Sequence, residues 1–167
     1  MKSKITLIIF STLIISTISF LLLDSFLKKR NPHWQSFDED LGWNLKKNYK
    51  NIYKQMDYKG NLYNAEFKTN ELSLRYNENL LNYNDLDILV IGDSFTADPY
   101  SSNELMWYSI LAKELSSHFD IKIKVLAGGG GGYSNTQELI LTNKLKKVLN
   151  PKIFILQFCT NDWGSNL

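Results

Sequence analysis

Ile88-Leu89-Val90-Ile91-Gly92-Asp93-Ser94-Phe95-Thr96 is an unbroken apolar run that ends in glycine and turns polar at once. Such a run predicts a strand covered on both faces by helices. Downstream, Ser101-Ser102-Asn103-Glu104 has capping-box spacing, and Leu111, Leu115 and Phe119 then recur at helical intervals. Ile121-Lys122-Ile123-Lys124-Val125 alternates apolar residues with lysine, which predicts a half-exposed strand at a sheet edge. Ser134-Asn135-Thr136-Gln137 repeats the capping signal, and a helix follows with Leu141, Leu145 and Val148 on one stripe, stopped by Asn150-Pro151. Ile153-Phe154-Ile155-Leu156 is a second run of the fully buried type. The order β-α-β-α-β implies right-handed crossovers and a parallel sheet. With strand order 2-1-3 the alternating strand takes the edge, the two apolar strands lie side by side, and the ligand crevice opens above the first strand.

Upstream, residues 5–23 carry no charge: thirteen are Ile, Leu or Phe and six are Ser or Thr, whose hydroxyls can bond back to helix carbonyls. At the rise of an α-helix the run spans roughly 28 Å, close to the ~30 Å of a bilayer's hydrocarbon core. No small-x-small cleavage site follows, so a single uncleaved membrane span is expected rather than a removed signal peptide. Lys2 and Lys4 on one side balance Lys28, Lys29 and Arg30 on the other, so charge gives no orientation. Residues 31–85 are rich in Asn, Tyr and Lys; within them Tyr63, Ala65 and Phe67 alternate with Asn64, Glu66 and Lys68, the period of a half-buried strand. Three regions result: an anchor with basic flanks at 1–30, a small β-containing lead-in at 31–85, and the α/β region at 86–167.

Composition narrows the function. A hydrophobic fraction of 44% and only three prolines argue for a packed fold. A net charge of +2 gives no basic field of the kind that drives nucleic-acid binding, so no nucleic-acid partner is expected. The single cysteine, Cys159, excludes an intramolecular disulfide, and two distant histidines, His33 and His118, argue against a zinc site. Three short segments leave the strand ends. Ser94 follows a strand-ending Gly-Asp, where its hydroxyl can point into the crevice as a nucleophile. Gly128 to Gly132 offer backbone N–H groups unobstructed by side chains, and Asn161 offers an amide, both suited to a developing oxyanion. That combination suits acyl transfer. Each segment also has a plainer reading: a turn or cap at Ser94, a flexible loop or phosphate cradle at the glycines, a turn at Asn161-Asp162. No Walker lysine or G-x-G-x-x-G motif supports a nucleotide.

These segments together resemble the SGNH/GDSL hydrolase family. Residues 88–96 look like its first block, with Ser94 at the nucleophile position. Val125-Leu126-Ala127 through Gly132-Tyr133 is similar to the second block, where Gly132 corresponds to the oxyanion-hole glycine. Leu156-Gln157-Phe158-Cys159-Thr160-Asn161-Asp162 resembles the third, with Asn161 as the oxyanion-hole asparagine and Cys159 in place of a glycine. Asp38-Glu39-Asp40-Leu41-Gly42-Trp43 and Asn70-Glu71-Leu72-Ser73-Leu74-Arg75 are similar to segments preceding the first block in membrane-anchored or exported members, with Ser73 where glycine is common. The resemblance implies a three-layer α/β/α flavodoxin-like parallel sheet and a serine ester hydrolase without a cofactor. It also implies a small-molecule, glycan or lipid ester as substrate and a location outside the cytoplasm.

The family's D-x-x-H block, source of the base and its orienting carboxylate, has no counterpart in these 167 residues. His118, roughly 20 Å from Ser94 along a helix, is expected at the surface. Asp93, Asp98 and Asp162 are expected to cap turns and helix starts. Two functions therefore stand: an ester hydrolase of which this chain is the N-terminal part, inactive alone for want of a base, or a non-catalytic binding or scaffold module with a degenerate site. Trp107 and Trp163, near helix-start or strand-end loops, could line an acyl or sugar pocket, with buried core the expected role of Trp107, and the apolar strand 153–158 is expected at an open edge.

Overall fold

The computed structural model describes residues 2–30, 33–76 and 83–160. The chain divides into two units, Met1–His33 and Trp34–Leu167. The first is helix α1, Lys2–Arg30. Its window Ile9–Leu27 is long and apolar enough to cross a membrane, a property signal sequences share, and it takes in Asp24 beyond the charge-free run. Thr17 Oγ1 donates to Leu13 O at 2.8 Å, so a hydroxyl within the apolar stretch is satisfied by the helix itself.

The second unit is mixed α/β. Two antiparallel hairpins come first, β1 (Gln35–Asp38) with β2 (Gly42–Leu45) and β3 (Lys50–Met56) with β4 (Leu62–Lys68). An aspartate closes each turn. Asp38 Oδ1 accepts from Asp40 N and Leu41 N at 3.0 and 3.1 Å, and Asp57 Oδ1 accepts from Lys59 N and Asn61 N at 2.8 Å each. In β4 the expected alternation holds at Ala65 and Phe67, both fully buried, while Tyr63 at the strand's start stays 40% exposed. After β4 the chain bends at Asn70, whose Oδ1 accepts from Leu72 N and Leu74 N. Ser73 has a φ of 62° there, which explains why this position suits glycine.

The main sheet has four strands in the order β5 (Arg75–Tyr76), β7 (Val125–Gly129), β6 (Ile88–Gly92) and β8 (Ile153–Leu156). Three parallel strands stand in the expected order, the second lying at Val125–Gly129 rather than at 121–125. β5 from the lead-in adds antiparallel to β7, so the sheet is mixed rather than wholly parallel and β7 is not the edge strand expected of it. The steps β6 to β7 and β7 to β8 run in opposite directions across the sheet, so crossovers of one hand must place their helices on opposite faces. They do: Ile88 and Val90 pack with Tyr108 of α3 (Trp107–Phe119), while Leu89 and Ile91 pack with Leu141 and Leu145 of α4 (Asn135–Leu145).

Several local expectations fail for identifiable reasons. Residues 121–124 are not a strand, because their backbone is committed elsewhere: Ile123 N donates to Ser116 Oγ and Lys124 N to Asp87 Oδ2, each at 2.9 Å. The ladder with β6 starts at Val125 instead, and it carries Gly128 and Gly129 into the strand. Ser102 and Asn103 do not cap α3. Their side chains serve the neighbouring hairpin, where Ser102 Oγ accepts from Glu66 N at 2.9 Å and Asn103 Oδ1 from Lys68 N at 3.2 Å. The buried face of α3 is Tyr108, Ser109 and Ala112, and Phe119 is exposed. On the other face the stripe runs through Leu141, Leu145 and Leu149, with Val148 turned outward as the helix loosens beyond Leu145. The capping signal at Ser134 is correct: its backbone N–H donates to Gln137 Oε1 at 3.0 Å. β8 is an outer strand, and Ile153, Phe154 and Leu156 are each about half exposed, at 51%, 42% and 49%, rather than buried.

The first hairpin is clamped to α4 by Lys144 Nζ, which lies 2.8 Å from Asp38 Oδ1 and 2.8 Å from Asp40 Oδ2. Burial raises the Asp38 carboxyl, but the Lys144 ammonium and the Leu41 and Asp40 N–H groups outweigh it and hold it below the usual carboxylate range. A depressed folded-state pKa means stability that is present above the unfolded value, near pH 4, and lost as pH falls through the folded one. Urea unfolding at pH 7 and pH 3 should therefore show a smaller loss on acidification for Asp38→Asn than for the wild type. An equal loss in both would show that Asp38 is not among the groups responsible.

Candidate functional site

β6 ends at Gly92 and the chain turns straight into a one-turn helix, α2 (Ser94–Ala97). Asp93 makes that turn. Its carboxylate is fully buried, Oδ1 accepts from Phe95 N at 3.0 Å, and Oδ2 lies 3.4 Å from Ser94 Oγ. Ala97 N donates to Asp93 O at 3.0 Å and Asp98 N to Ser94 O at 2.9 Å, which closes the turn of helix. The capping role expected of Asp93 is thus present. Asp98 likewise caps a turn, accepting from Tyr100 N at 2.9 Å and Ser101 Oγ at 2.6 Å. Ser94 itself is exposed at the end of the strand.

The glycine run has three different physical roles. A Cβ on Gly129 would meet Gly92 O at 2.3 Å and Asp93 O at 2.9 Å, so β7 can lie this close to the turn before Ser94 only with no side chain there. A Cβ on Gly130 would enter the Tyr133 ring, and one on Gly128 would strike Leu74. Gly132 has open space around it but a φ of 74°, the left-handed region that glycine adopts without strain. Tyr133 N donates to Gly130 O at 3.2 Å across that turn, and no group among the described residues accepts the Gly132 N–H.

No protein-family model and no curated protein matches this chain.

The turn after β7 is held from the far side by residues that local pattern did not single out. Trp43 Nε1 donates to Gly131 O at 3.0 Å, Tyr133 Oη donates to Trp43 O at 2.6 Å, and Gln137 Nε2 donates to Leu41 O at 2.8 Å. With its amide oxygen turned to the loop, Gln35 accepts from Gly131 N at 3.1 Å and from Trp43 Nε1 at 3.3 Å. Burial pushes the Tyr133 phenol up, so it remains a neutral donor. A Cβ on Gly131 would meet the Trp34 ring at 3.5 Å, an ordinary contact.

On the other side of β6, Gln157 N donates to Ile91 O at 2.8 Å as the chain leaves β8. Gln157 Oε1 accepts from Thr96 Oγ1 at 2.6 Å and from Trp107 Nε1 at 3.0 Å. Trp107 is 37% exposed and tied to a strand-end loop, so the core position expected of it is incorrect. Asn161, Asp162 and Trp163 lie outside the described residues. His118 is exposed in the last turn of α3, its ring against Phe119, as expected of a surface residue.

Arg75 sets the loop beyond Ser94. It is fully buried, and its five donors make five bonds: Nε and Nη2 to Asn103 Oδ1, Nη1 to Ala97 O and Asp98 O, and Nη2 to Ser101 O. Its guanidinium also lies over the Phe67 ring, 4.9 Å from the centroid. Burial depresses its pKa, from an ordinary value so high that the group stays charged. Among the described residues no cluster of three or more His, Cys, Asp or Glu could hold a metal.

Proposed function

We propose that the chain belongs to a serine ester hydrolase of the SGNH/GDSL type, with Ser94 as nucleophile and the Gly132 N–H and Asn161 amide as oxyanion donors. The observation that carries the reading is the pairing of an exposed serine at the β6 end with an unaccepted N–H in the left-handed turn after adjacent β7. The backbone oxygens of Gly92 and Asp93 lie against Gly129, which keeps the two strand ends in close register. The resemblance of residues 88–96, 125–133 and 156–162 to the family's three blocks supports the same roles, and with them the flavodoxin-like parallel core.

In this reading Ser94 Oγ adds to the carbonyl carbon of a small-molecule, glycan or lipid ester as its proton passes to a base. The carbonyl oxygen becomes an oxyanion held by the two donors, and the alkoxide leaves as an alcohol after taking the proton. Water then cleaves the acyl-serine by the same steps. The base of the family is a D-x-x-H pair, a pattern that these 167 residues do not contain. α1 is the membrane anchor, with the catalytic unit outside the cytoplasm.

The alternative, a binding or scaffold module, is favoured by one fact: the only hydrogen-bond partner of Ser94 Oγ among the described residues is the Asp93 carboxylate, and no histidine meets it. One experiment separates the two. The reading frame is expressed with its natural flanking sequence, intact cells are treated with a membrane-impermeant fluorophosphonate, and labelling is read in carbonate-washed membranes. The hydrolase reading expects a labelled membrane band that Ser94→Ala abolishes. Equal labelling of the alanine variant removes Ser94 from the mechanism, an unlabelled wild type supports the module, and a labelled soluble product removes the anchor.

A further inference from the structure

We infer that Trp43 is a positioning residue for the oxyanion hole, acting through the carbonyl of Gly131. The inference takes its chemistry from the hydrolase reading and its geometry from the hydrogen bonds alone. The chain has no cis peptide bonds among its described residues, and in a planar trans peptide the C=O of one residue and the N–H of the next point in opposite directions. The Trp43 indole N–H holds Gly131 O at 3.0 Å, so the first hairpin fixes one end of the Gly131–Gly132 peptide. The other end, the Gly132 N–H, is thereby aimed away from the hairpin.

Apart from the Tyr133 N to Gly130 O bond that closes the turn around it, no other bond among the described residues fixes that peptide. Gly132 has open space where a side chain would be and no acceptor for its N–H among the described residues, and its φ of 74° belongs to glycine, the most conformationally free residue. A peptide between two glycines can rotate about its flanking bonds at little cost. An oxyanion donor gains its effect from being held in place before the charge develops. Trp43 is itself held: its carbonyl accepts from Tyr133 Oη at 2.6 Å, its ring lies 6.2 Å from the Tyr133 ring, and Gln35 backs both the indole N–H and Gly131 N. The position of Trp43 follows from the turn before it. Asp38 Oδ1 ties Asp40 N and Leu41 N, and Gly42 takes a φ of 79°, so the segment from Asp38 to Trp43 is a device for delivering one indole N–H to the glycine turn.

The test uses the full chain in detergent micelles, labelled with 15N-glycine. The chain has nine glycines, few enough to assign by substitution. Trp43→Phe keeps an aromatic ring and removes the N–H. The expected result is displacement or broadening of the Gly131 and Gly132 amide signals with Gly92, Gly128 and Gly129 unmoved. In the flanked protein of the labelling experiment, the same variant should slow the maximal rate of Ser94 phosphonylation about 10- to 100-fold with little change in the inhibitor concentration for half-maximal rate. A merely structural role would instead move all five glycines. Unchanged Gly131 and Gly132 signals would overturn the inference. So would changed signals with an unchanged phosphonylation rate in a protein whose wild type labels. A wild type that never labels defeats the hydrolase reading, while the amide signals still decide whether Trp43 holds the peptide. Gln35→Ala, which removes the acceptor backing the indole N–H and Gly131 N but leaves the indole itself in place, gives the same comparison should Trp43→Phe not fold.

Discussion

Gly129→Ala should be the most damaging single methyl group in this protein. The added Cβ would stand 2.3 Å from Gly92 O and 2.9 Å from Asp93 O, and both are backbone atoms that no rotamer change can move aside. Relief requires the end of β7 to part from the end of β6, where Gly92 and Gly129 are paired in register. Overpacking of this kind costs about 3 kcal/mol or more when backbone must shift. For a unit of this size that lowers Tm by roughly 10 °C, and it displaces the turn that presents Ser94. Two neighbours serve as controls. At Gly131 the nearest atom to a new Cβ is Trp34 Cη2 at 3.5 Å, an ordinary contact, and its φ is not positive, so Gly131→Ala should stay within ~1 kcal/mol of wild type. Gly132→Ala meets nothing but carries the left-handed penalty, on the order of 1–2 kcal/mol. Thermal melts of the three variants should rank Gly131 mildest and Gly129 worst. A Gly129 variant that melts with the wild type would show that the two strand ends are not in contact.

That ranking also shows how far the sequence could be read. The run Gly128 to Gly132 is legible as a loop of free N–H groups at a strand end, yet Gly128 and Gly129 are strand residues, paired to Ile91 and Gly92. Gly129 is there because the backbones approach closely and Gly128 because the Leu74 side chain packs against it, and only Gly132 carries the conformational freedom that marks a turn. The misplacement began upstream. Lysine alternation at residues 121–125 imitates an edge strand, but the pattern of a chain segment cannot reveal that Ser116 and Asp87 take its backbone N–H groups. By contrast β6 and α4 follow from signals local to each element: an apolar run closed by glycine, and a serine cap with glutamine three residues on.

The surroundings of Ser94 were less accessible for a different reason. Trp43 meets Gly131 across 88 positions and Tyr133 Oη meets Trp43 O across 90, and no periodicity carries such a pairing. What marks 38–43 and 70–75 in the sequence is their resemblance to segments found ahead of the family's first block. Each segment now has a physical role at the site: the first delivers Trp43 to the glycine turn, and the second delivers Arg75 beneath the loop beyond α2.

Arg75→Met should unfold the region around Ser94, because beyond the turn that Asp98 caps it is this guanidinium that gathers the loop. The guanidinium gathers three carbonyls from 97 to 101 and one side-chain oxygen from Asn103, and Asn103 in turn donates to Lys68 O at 2.8 Å and Tyr76 O at 2.6 Å. One buried cation thus joins β4, β5 and the segment after α2. Methionine fills much of the volume but donates nothing, so the acceptors in the buried part of the network lose their partners at about 1–3 kcal/mol each. The expected loss is on the order of 3–5 kcal/mol, a large share of the 5–15 kcal/mol that holds an ordinary domain together. Lysine restores the charge but not the planar fork that reaches Ala97, Asp98, Ser101 and Asn103 at once, so Arg75→Lys should recover only part of the loss. Hydrogen exchange separates this from general destabilisation: the amides of 97–103 should exchange faster in Arg75→Lys while those of Leu89 and Val90 keep their protection. Uniform loss of protection across the sheet, or a lysine variant as stable as wild type, would show that the five bonds of Arg75 do not organise the loop that follows Ser94.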